Sequence, residues 1–253
     1  MKKILIKGTD LCKSFKQGEK NVMVLNKICV DIYEGDFTVI MGASGAGKST
    51  LLYALSGMDG ITGGKVEFGG EAINGYNEKK MAELRAKEFG FVFQQTHLVS
   101  NLTLFENVAV AGYVGKRHNA KKVQEKAEQL LVQMHADGAK DRMPSQVSGG
   151  EAQRAAIARA MINNPKIVFA DEPTGALNKA NSEEVLNLLT ELNRNGQSIV
   201  MVTHDIRAAI HGNRLLYLED GNILAELSLS AYEEKNAKGR EAKVNNWLTD
   251  LQW

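Results

Sequence analysis

The sequence has few of the features that mark disulfide-stabilised, nucleic-acid-binding or membrane-embedded proteins. Only two of its 253 residues are cysteine, Cys12 and Cys29, and their spacing matches no metal motif, so we expect two reduced thiols. The formal net charge is +1, which excludes a strong overall attraction to nucleic acid or anionic lipid. No apolar run approaches the roughly 20 residues of a membrane span, and none at the N-terminus suits a signal peptide. Any action at a membrane is therefore expected to require a partner protein.

The order of apolar segments predicts an α/β fold. Residues 1–40 are rich in β-branched residues, which favours strands. The runs "KIVFADEP" and "SIVMVTHD" are typical of buried parallel strands, and an amphipathic helical pattern, "SEEVLNLLTELNRNG", lies between them. Strands that alternate with helices indicate βαβ units. Residues 96–163 interrupt this alternation with a mostly helical pattern, and we interpret them as a subdomain inserted into the sheet domain.

A nucleotide phosphate loop is the strongest motif in the chain. Residues 42–49, "GASGAGKS", match G-x-x-x-x-G-K-[ST], and they follow an apolar strand and precede a helical run. Glycines allow a tight turn that directs backbone N–H groups inward. We predict that Lys48 contacts the β- and γ-phosphates and that the Ser49 hydroxyl binds Mg²⁺. The predicted nucleotide contacts of the loop come from Gly42, Ser44, Gly45, Ala46, Gly47, Lys48, Ser49 and Thr50.

Two acidic residues end a predicted strand further along the chain. Asp171 follows "IVFA", and a carboxylate in that position is the second protein ligand that a magnesium-nucleotide site needs. Glu172 comes next and is predicted to act as the general base for the attacking water.

A second phosphate cradle is indicated by "VSGGEAQRAAIARA", residues 147–160. Ser148, Gly149 and Gly150 open an alanine-rich helical run, and the exposed N–H groups of a helix start favour an anion. An ordinary helix cap by Ser148 is the alternative interpretation. Simple GTPases and nucleotide kinases have no use for such a second cradle, so the pair narrows the class of protein.

Together, these motifs resemble the ATP-binding-cassette (ABC) family over nearly the whole chain and in the family's order. The resemblance implies an α/β P-loop NTPase with a RecA-like parallel sheet core, an N-terminal antiparallel β subdomain and an inserted α-helical subdomain. It also implies a single ABC ATPase domain over residues 1–253. Its implied parts are the catalytic core with the β subdomain in 1–95 and 164–230, the helical subdomain with the signature in 96–163, and an amphipathic tail in 231–253.

The same resemblance implies an ATPase that takes ATP and Mg²⁺ and dimerises head to tail. Ser148, Gly149, Gly150 and Glu151 of one copy would then contact the ATP that the phosphate loop of a second copy holds. A γ-phosphate between two helix N-termini would close the dimer, and hydrolysis would open it. This arrangement explains why one chain carries two separate phosphate cradles.

Three further site residues are assigned through the resemblance. Gln94, beside Gln95, resembles the glutamine that senses Mg²⁺ and the attacking water, and it is a predicted metal ligand. His204 resembles the switch histidine that touches the γ-phosphate, and it joins Lys48, Gln94 and Glu172 as the predicted catalytic set. Phe15 stands where the family stacks an aromatic ring on adenine, although a core phenylalanine is the alternative.

Three positions depart from the usual family pattern. Val147 replaces the leucine that usually opens the signature, and Ala152 replaces a common glutamine. Asn178 replaces the aspartate of the loop that links the two nucleotide sites. Asparagine keeps the ability to form hydrogen bonds but lacks the charge of aspartate. The property that this change is expected to affect is therefore communication between the two nucleotide sites, not ATP binding.

The motif segments resemble most closely one ABC subgroup, the lipoprotein-releasing, macrolide-exporting and antimicrobial-peptide-resistance ATPases. This implies an integral membrane permease as partner, no nucleic-acid partner, and a cytoplasmic location at the inner face of the membrane. The implied function is to drive export, extraction or resistance to a peptide, lipoprotein or drug. The alternative is a regulatory or scaffold cassette of the division or cluster-assembly type, without substrate transport. In the tail, the apolar face of Val244, Trp247, Leu248 and Leu251 is expected to dock on its own body or on a second copy.

Overall fold

A computed structural model describes residues 2–18, 20–114 and 119–253. The chain forms two compact units. The first unit contains Met1–Asn77 and Asn193–Trp253, and the second contains Glu78–Leu192. Residues 115–118, which belong to the predicted helical insert, lie outside the described residues. The finer segmentation given above stays a prediction.

Strands and helices alternate over most of the described chain. The strands are β1 (Ile4–Gln17), β2 (Lys20–Tyr33), β3 (Phe37–Met41), β4 (Gly63–Phe68), β5 (Glu71–Ala72), β6 (Phe89–Phe93), β7 (Ile167–Asp171), β8 (Ser198–Val202), β9 (Arg214–Glu219) and β10 (Asn222–Ser228). The α-helices are α1 (Lys48–Leu55), α2 (Glu78–Glu88), α3 (Leu104–Tyr113), α4 (Ala120–Gln133), α5 (Gly149–Met161), α6 (Lys179–Arg194), α7 (Ile206–Ala209) and α8 (Ala237–Asp250).

The first unit contains the predicted N-terminal antiparallel β subdomain. Its sheet has the strand order β2-β1-β4-β5. β1 pairs with β2 from Ile4 opposite Tyr33 to the hairpin end, and with β4 through Ile6 opposite Phe68. Leu11 and Leu25 are buried in this part of the unit because alternate residues of each strand face the core.

Parallel strands form a second part of the same unit. β3 pairs in parallel with β8 on one side and with β9 on the other, and β10 is antiparallel to β9. Every residue of β3 and β8 is buried, which agrees with the near-continuous apolar runs of strands covered on both faces. The sheet is therefore parallel at its centre, as the α/β prediction required.

The second unit combines a parallel strand pair with a helical block. β6 and β7 pair in parallel from Phe89 opposite Ile167 to Phe93 opposite Asp171. α3, α4 and α5 pack against one another, and α5 also packs against β6. Their buried contacts come from the apolar periodicity of each helix and include Val108 on α3 and Leu131 on α4. The helical block is thus attached to the strand that precedes Gln94.

The C-terminal tail packs on the first unit. α8 contacts α7, and Val244 and Leu248 are buried there. The Trp247 ring meets the Tyr217 ring edge to face at 6.3 Å between centroids. The apolar face of the tail therefore docks on its own body. Among the residues that the structure describes, no helix has the length and apolar character to cross a membrane.

Candidate functional site

The phosphate loop connects β3 to α1 in the first unit, and glycine is required at both of its ends. A Cβ atom on Gly42 would overlap the backbone carbonyl oxygen of Leu218 in β9. A Cβ atom on Gly47, whose φ is 99°, would lie 2.9 Å from the carbonyl oxygen of Val24 in β2. Because the loop backbone is held this closely against two strands, its shape is set before any nucleotide arrives.

The phosphate loop places a buried lysine beside the uncapped N-terminus of α1. The Lys48 ammonium is buried, and its Nζ atom donates to the carbonyl oxygen of Ala43 at 2.8 Å within the loop. No side chain caps the N-terminus of α1, whereas side chains cap α3, α4 and α5. The loop thus combines a fixed positive charge with the positive end of a helix dipole, which suits a phosphate group.

Phe15 lies on the surface of the first unit. It pairs with Val22 of β2, and Val24 of the same strand approaches Gly47 of the phosphate loop. The Phe15 residue is 43% exposed, so it is not a core phenylalanine, and the Lys13 ammonium stands 4.8 Å from its ring centroid. Its role in stacking on adenine stays a prediction that this exposure favours.

His204 lies at the same sheet edge as the phosphate loop. It follows β8, which is the parallel neighbour of β3, and the Thr203 N–H donates to the carbonyl oxygen of Ile40 at 3.2 Å. The carboxyl ends of neighbouring parallel strands meet at one edge of a sheet, and open α/β sheets bind ligands there. His204 is exposed at this edge. The first unit therefore brings together the loop and the predicted switch histidine.

The second unit brings together Gln94, Asp171 and Glu172. Phe93 is paired with Asp171, so Gln94 leaves β6 at the edge where Glu172 leaves β7. A Cβ atom on Gly175 would lie 2.9 Å from the Gln94 Nε2 atom, so the glutamine amide packs over the turn after Glu172. Glu172 has a φ of 45°, a left-handed conformation that is uncommon outside glycine. Such conformations cluster at functional sites, and seven other non-glycine residues of the described chain also have a positive φ.

The signature segment forms a capped helix start. Ser148 is the N-cap of α5, and its hydroxyl accepts from the Glu151 N–H at 3.2 Å. The Glu151 Oε2 atom accepts in return from the N–H and the hydroxyl of Ser148, both at 2.8 Å. These backbone and side-chain hydrogen bonds from Ser148 hold the pKa of the Glu151 carboxyl below its usual value. The helix-cap interpretation and the phosphate-cradle interpretation therefore involve the same groups.

The loop after the acidic residues lies against the signature glycines. A Cβ atom on Gly150 would come within 2.5 Å of the Asn181 side chain, and one on Gly149 within 3.3 Å of Leu177. The Asn178 Oδ1 atom accepts from the Asn181 N–H at 3.0 Å, which orders this loop at the start of α6. Asn178, one of the departures from the family pattern, is therefore a local cap beside the signature.

Two polar residues of α5 hold the glutamine loop, which is the segment after β6 that contains Gln94. Neither residue was predicted as a site residue from the sequence. Gln153 donates from Nε2 to the carbonyl oxygen of Phe93 at 2.9 Å. Arg159 donates to the carbonyl oxygens of Thr96 and His97, both at 2.7 Å. The sequence carried no signal that could identify these contacts, because polar residues of this helix do not reveal which carbonyl oxygens they bind.

The predicted magnesium ligands are oxygen donors of the kind that Mg²⁺ prefers. Mg²⁺ prefers oxygen ligands and is usually held by one or two protein groups with substrate phosphates and water. Ser49 of the first unit carries a hydroxyl of this kind, and Asp171 and Gln94 of the second unit carry a carboxylate and an amide oxygen, so each predicted ligand has a suitable oxygen. Within residues 2–18, 20–114 and 119–253, no cluster of three or more His, Cys, Asp or Glu residues could hold a metal by itself.

Comparison with known proteins gives one consistent result. The family model described as "ABC transporter" matches residues 25–175. A dimeric structure of the ATP-binding cassette MJ0796 in a post-hydrolysis state, bound to ADP and Pi, is 36% identical, with a TM-score of 0.84. A second dimeric structure of MJ0796, described as a bacterial ABC transporter cassette, is 37% identical with the same TM-score. Both matches cover 90% of this chain and 100% of that chain. The cassette cbiO1 from Clostridium perfringens, described as part of the ABC transporter complex cbiONQ, is 26% identical over 89% of each chain, with a TM-score of 0.79.

Proposed function

This chain belongs to the ABC transporter family and is an ATPase that uses ATP and Mg²⁺, and from that premise we propose that two copies dimerise head to tail and drive a separate membrane subunit. The observation that carries the dimer is the exposed start of α5, where Ser148 and Gly149 are accessible to a second chain. Solved relatives that are dimeric cassettes support a dimer. Each nucleotide would lie between the phosphate loop of one copy and the signature of the other.

In this proposal, the chain's residues bind the triphosphate and orient it for hydrolysis. Lys48 and the loop N–H groups hold the β- and γ-phosphates, and Phe15 stacks on the adenine. Ser49, Asp171 and Gln94 would hold Mg²⁺, which neutralises phosphate charge when bound.

Bond cleavage then follows from general-base catalysis. Glu172 accepts a proton from a water whose oxygen attacks the γ-phosphorus, and the bond to the oxygen bridging the β- and γ-phosphates breaks to give ADP and phosphate. His204 contacts a γ-phosphate oxygen and keeps it in line for the attack. Loss of the phosphate removes the group that both copies share, so the dimer opens.

The membrane subunit is proposed to dock beside the glutamine loop. Val99 is 48% exposed there, and the neighbouring side chains of Leu98, Leu102 and Phe105 are partly exposed, while Leu104 is buried in the core. An apolar helix of the partner would cover this surface. We place the working position at the inner face of the membrane and the function in export, extraction or resistance to a peptide, lipoprotein or drug. The relative cbiO1, which is part of a transporter complex, supports a membrane partner.

Co-purification from membranes tests the transporter proposal. Tagged chain expressed in its native cell and extracted in mild detergent should retain an integral membrane protein in stoichiometric amount. A Val99→Asp variant should lose that protein while the isolated cassette keeps its ATPase rate. A chain that hydrolyses ATP but retains only non-membrane proteins would contradict the transporter role and favour a regulatory or scaffold cassette.

A further inference from the structure

Two helices of the second unit begin with the same reciprocal cap. At α5, the Glu151 Oε2 atom accepts from the N–H and the hydroxyl of Ser148, both at 2.8 Å. At α3, the Glu106 Oε2 atom accepts from the N–H of Thr103 at 2.8 Å and from its hydroxyl at 2.9 Å. The two caps match in residue spacing and in geometry. Only the α5 cap lies in a segment for which we propose a nucleotide contact, so the α3 cap provides an internal reference.

The α5 cap occupies the groups that a phosphate would need. A serine hydroxyl has one hydrogen to donate, and Ser148 donates it to the carboxylate of Glu151. The Ser148 N–H donates to the same oxygen atom. A γ-phosphate delivered by a second copy can receive the Ser148 hydroxyl hydrogen only after the Glu151 carboxylate has released it. The carboxylate is itself an anion placed at the positive end of the helix dipole.

The charges around the cap lead to the same conclusion. Besides the hydrogen bonds from Ser148, the nearby guanidinium groups of Arg142 and Arg154 lower the pKa of the Glu151 carboxyl. The group is therefore ionised at neutral pH. Its negative charge offsets positive charges that would otherwise attract a triphosphate to the start of α5.

We propose that Glu151 sets the strength of ATP-dependent association, because its carboxylate competes with the partner copy's γ-phosphate for Ser148. This inference rests on the proposed head-to-tail dimer. Closure requires the Glu151 carboxylate to turn away from Ser148 at both nucleotide sites, so an open cassette is favoured until ATP is abundant. The ATP contact that the family resemblance implied for Glu151 is therefore not one made by this carboxylate. A glutamine at this position keeps the hydrogen-bond acceptor for the cap but lacks the competing charge.

The test compares matched variants in the Glu172→Gln background, in which loss of the proposed general base should make ATP hydrolysis too slow to open the dimer. The dissociation constant of the dimer is measured by sedimentation with saturating ATP and Mg²⁺. Hydrogen bonds to charged groups are stronger than neutral ones, and the competition is lost at both nucleotide sites of the dimer. Glu151→Gln should therefore lower the dissociation constant about tenfold or more. Glu106→Gln, which removes the same charge from the α3 cap, should leave the constant unchanged.

Each outcome decides for or against the inference. An unchanged or weaker dimer in Glu151→Gln, with a thermal unfolding curve that shows a folded protein, overturns it. An equal gain in Glu106→Gln also overturns it, because the effect would then come from helix capping or overall charge. A second variant, Glu151→Ala, removes the acceptor as well and should also tighten the dimer. If Glu172→Gln alone forms no dimer with ATP, the proposed head-to-tail function fails and the inference fails with it.

Discussion

Individual glycines of the phosphate loop meet different physical requirements. Gly42 lies so close to Leu218 that any Cβ atom would overlap a backbone oxygen, whereas Gly45 has a left-handed φ of 84° with open space around it. The motif G-x-x-x-x-G-K-[ST] contains the first glycine but not the second. The packing around each glycine therefore adds information that the motif lacks.

Alanine substitutions separate these two requirements. Gly45→Ala should cost about 1–2 kcal/mol of unfolding free energy, because an L-residue is forced into a left-handed conformation. Gly42→Ala should cost clearly more, since strand backbone must move to relieve the overlap. Urea unfolding of both variants measures the difference. Equal losses would show that the approach of Leu218 to the loop is not tight.

Replacing Lys48 tests the charge within the loop. Lys48→Ala removes an ammonium that is buried in the phosphate loop and should weaken ATP binding by about a hundredfold, since charge-assisted hydrogen bonds to phosphates are lost. A fluorescent nucleotide titration measures the affinity, and a thermal unfolding curve confirms that the variant folds. An unchanged affinity would refute the role assigned to this lysine.

At the scale of elements, the C-terminal helix α8 is held on the first unit by both apolar and polar contacts. The Arg240 guanidinium is buried and donates to the carbonyl oxygens of Ile210, Gly212 and Ser230 at 2.6–2.7 Å. Two of these carbonyls belong to the segment after α7, which follows the predicted switch histidine His204. The tail thus braces the chain directly beyond a predicted catalytic residue.

A core substitution in α8 measures how firmly the tail is docked. Leu248 is 1% exposed, so Leu248→Ala should cost about 2–5 kcal/mol of unfolding free energy through lost burial and a residual cavity. Leu224, in β10, is 55% exposed, so Leu224→Ala should change this value by less than about 0.5 kcal/mol. Equal effects in a urea titration would indicate that the tail is detached in solution.

The burial of His211 near Arg240 predicts that the stability of the protein depends on pH. Burial, and then the nearby positive charges of Arg240 and Arg194, lower the pKa of His211 to about 4. The unfolded chain takes up a proton near pH 6.5 but the folded chain does not. The contribution of His211 to the free energy of unfolding is therefore fully present above pH 6.5 and is lost as the pH falls toward 4. At pH 5 the loss is about 2 kcal/mol.

A histidine replacement isolates that contribution. His211→Gln should remove about 2 kcal/mol of the stability difference between pH 8 and pH 5 while the remaining pH dependence persists. Urea unfolding at the two pH values measures the difference in both proteins. The same pH dependence in wild type and variant would contradict the burial of His211.

The elements show how far the sequence could predict this structure. The β-rich start, the strands before the phosphate loop and Asp171, and the helix at Gly149 were predictable because each rests on a local pattern. The contacts of Arg240 and Gln153 were not, because a polar residue in an apolar helix face becomes informative only when its acceptor carbonyls are known. The left-handed conformation of Glu172 could not be predicted either, because its φ depends on the packing of the following turn.

At the scale of the whole molecule, the proposed function requires two copies of the chain, each of which gives its phosphate loop to one nucleotide and its signature segment to the other. The matches to the dimeric cassette MJ0796 cover 90% of this chain and 100% of that chain. The fold and the ATPase activity follow from family membership, whereas the site residues and the membrane partner remain proposals. The nucleotide site shared by two copies of the chain is the central claim because it links the site residues to the ATPase activity.

Light scattering of two variants in ATP and Mg²⁺ tests this central claim most directly. Glu172→Gln should have a molar mass of twice the 27.7 kDa of one chain, because the ATP-bound dimer still closes but does not hydrolyse its ATP. The double variant Glu172→Gln with Ser148→Arg should stay at the mass of one chain and still bind ATP with the affinity of a single phosphate loop. A double variant that dimerises equally well, or that loses ATP binding as a single chain, would contradict the account.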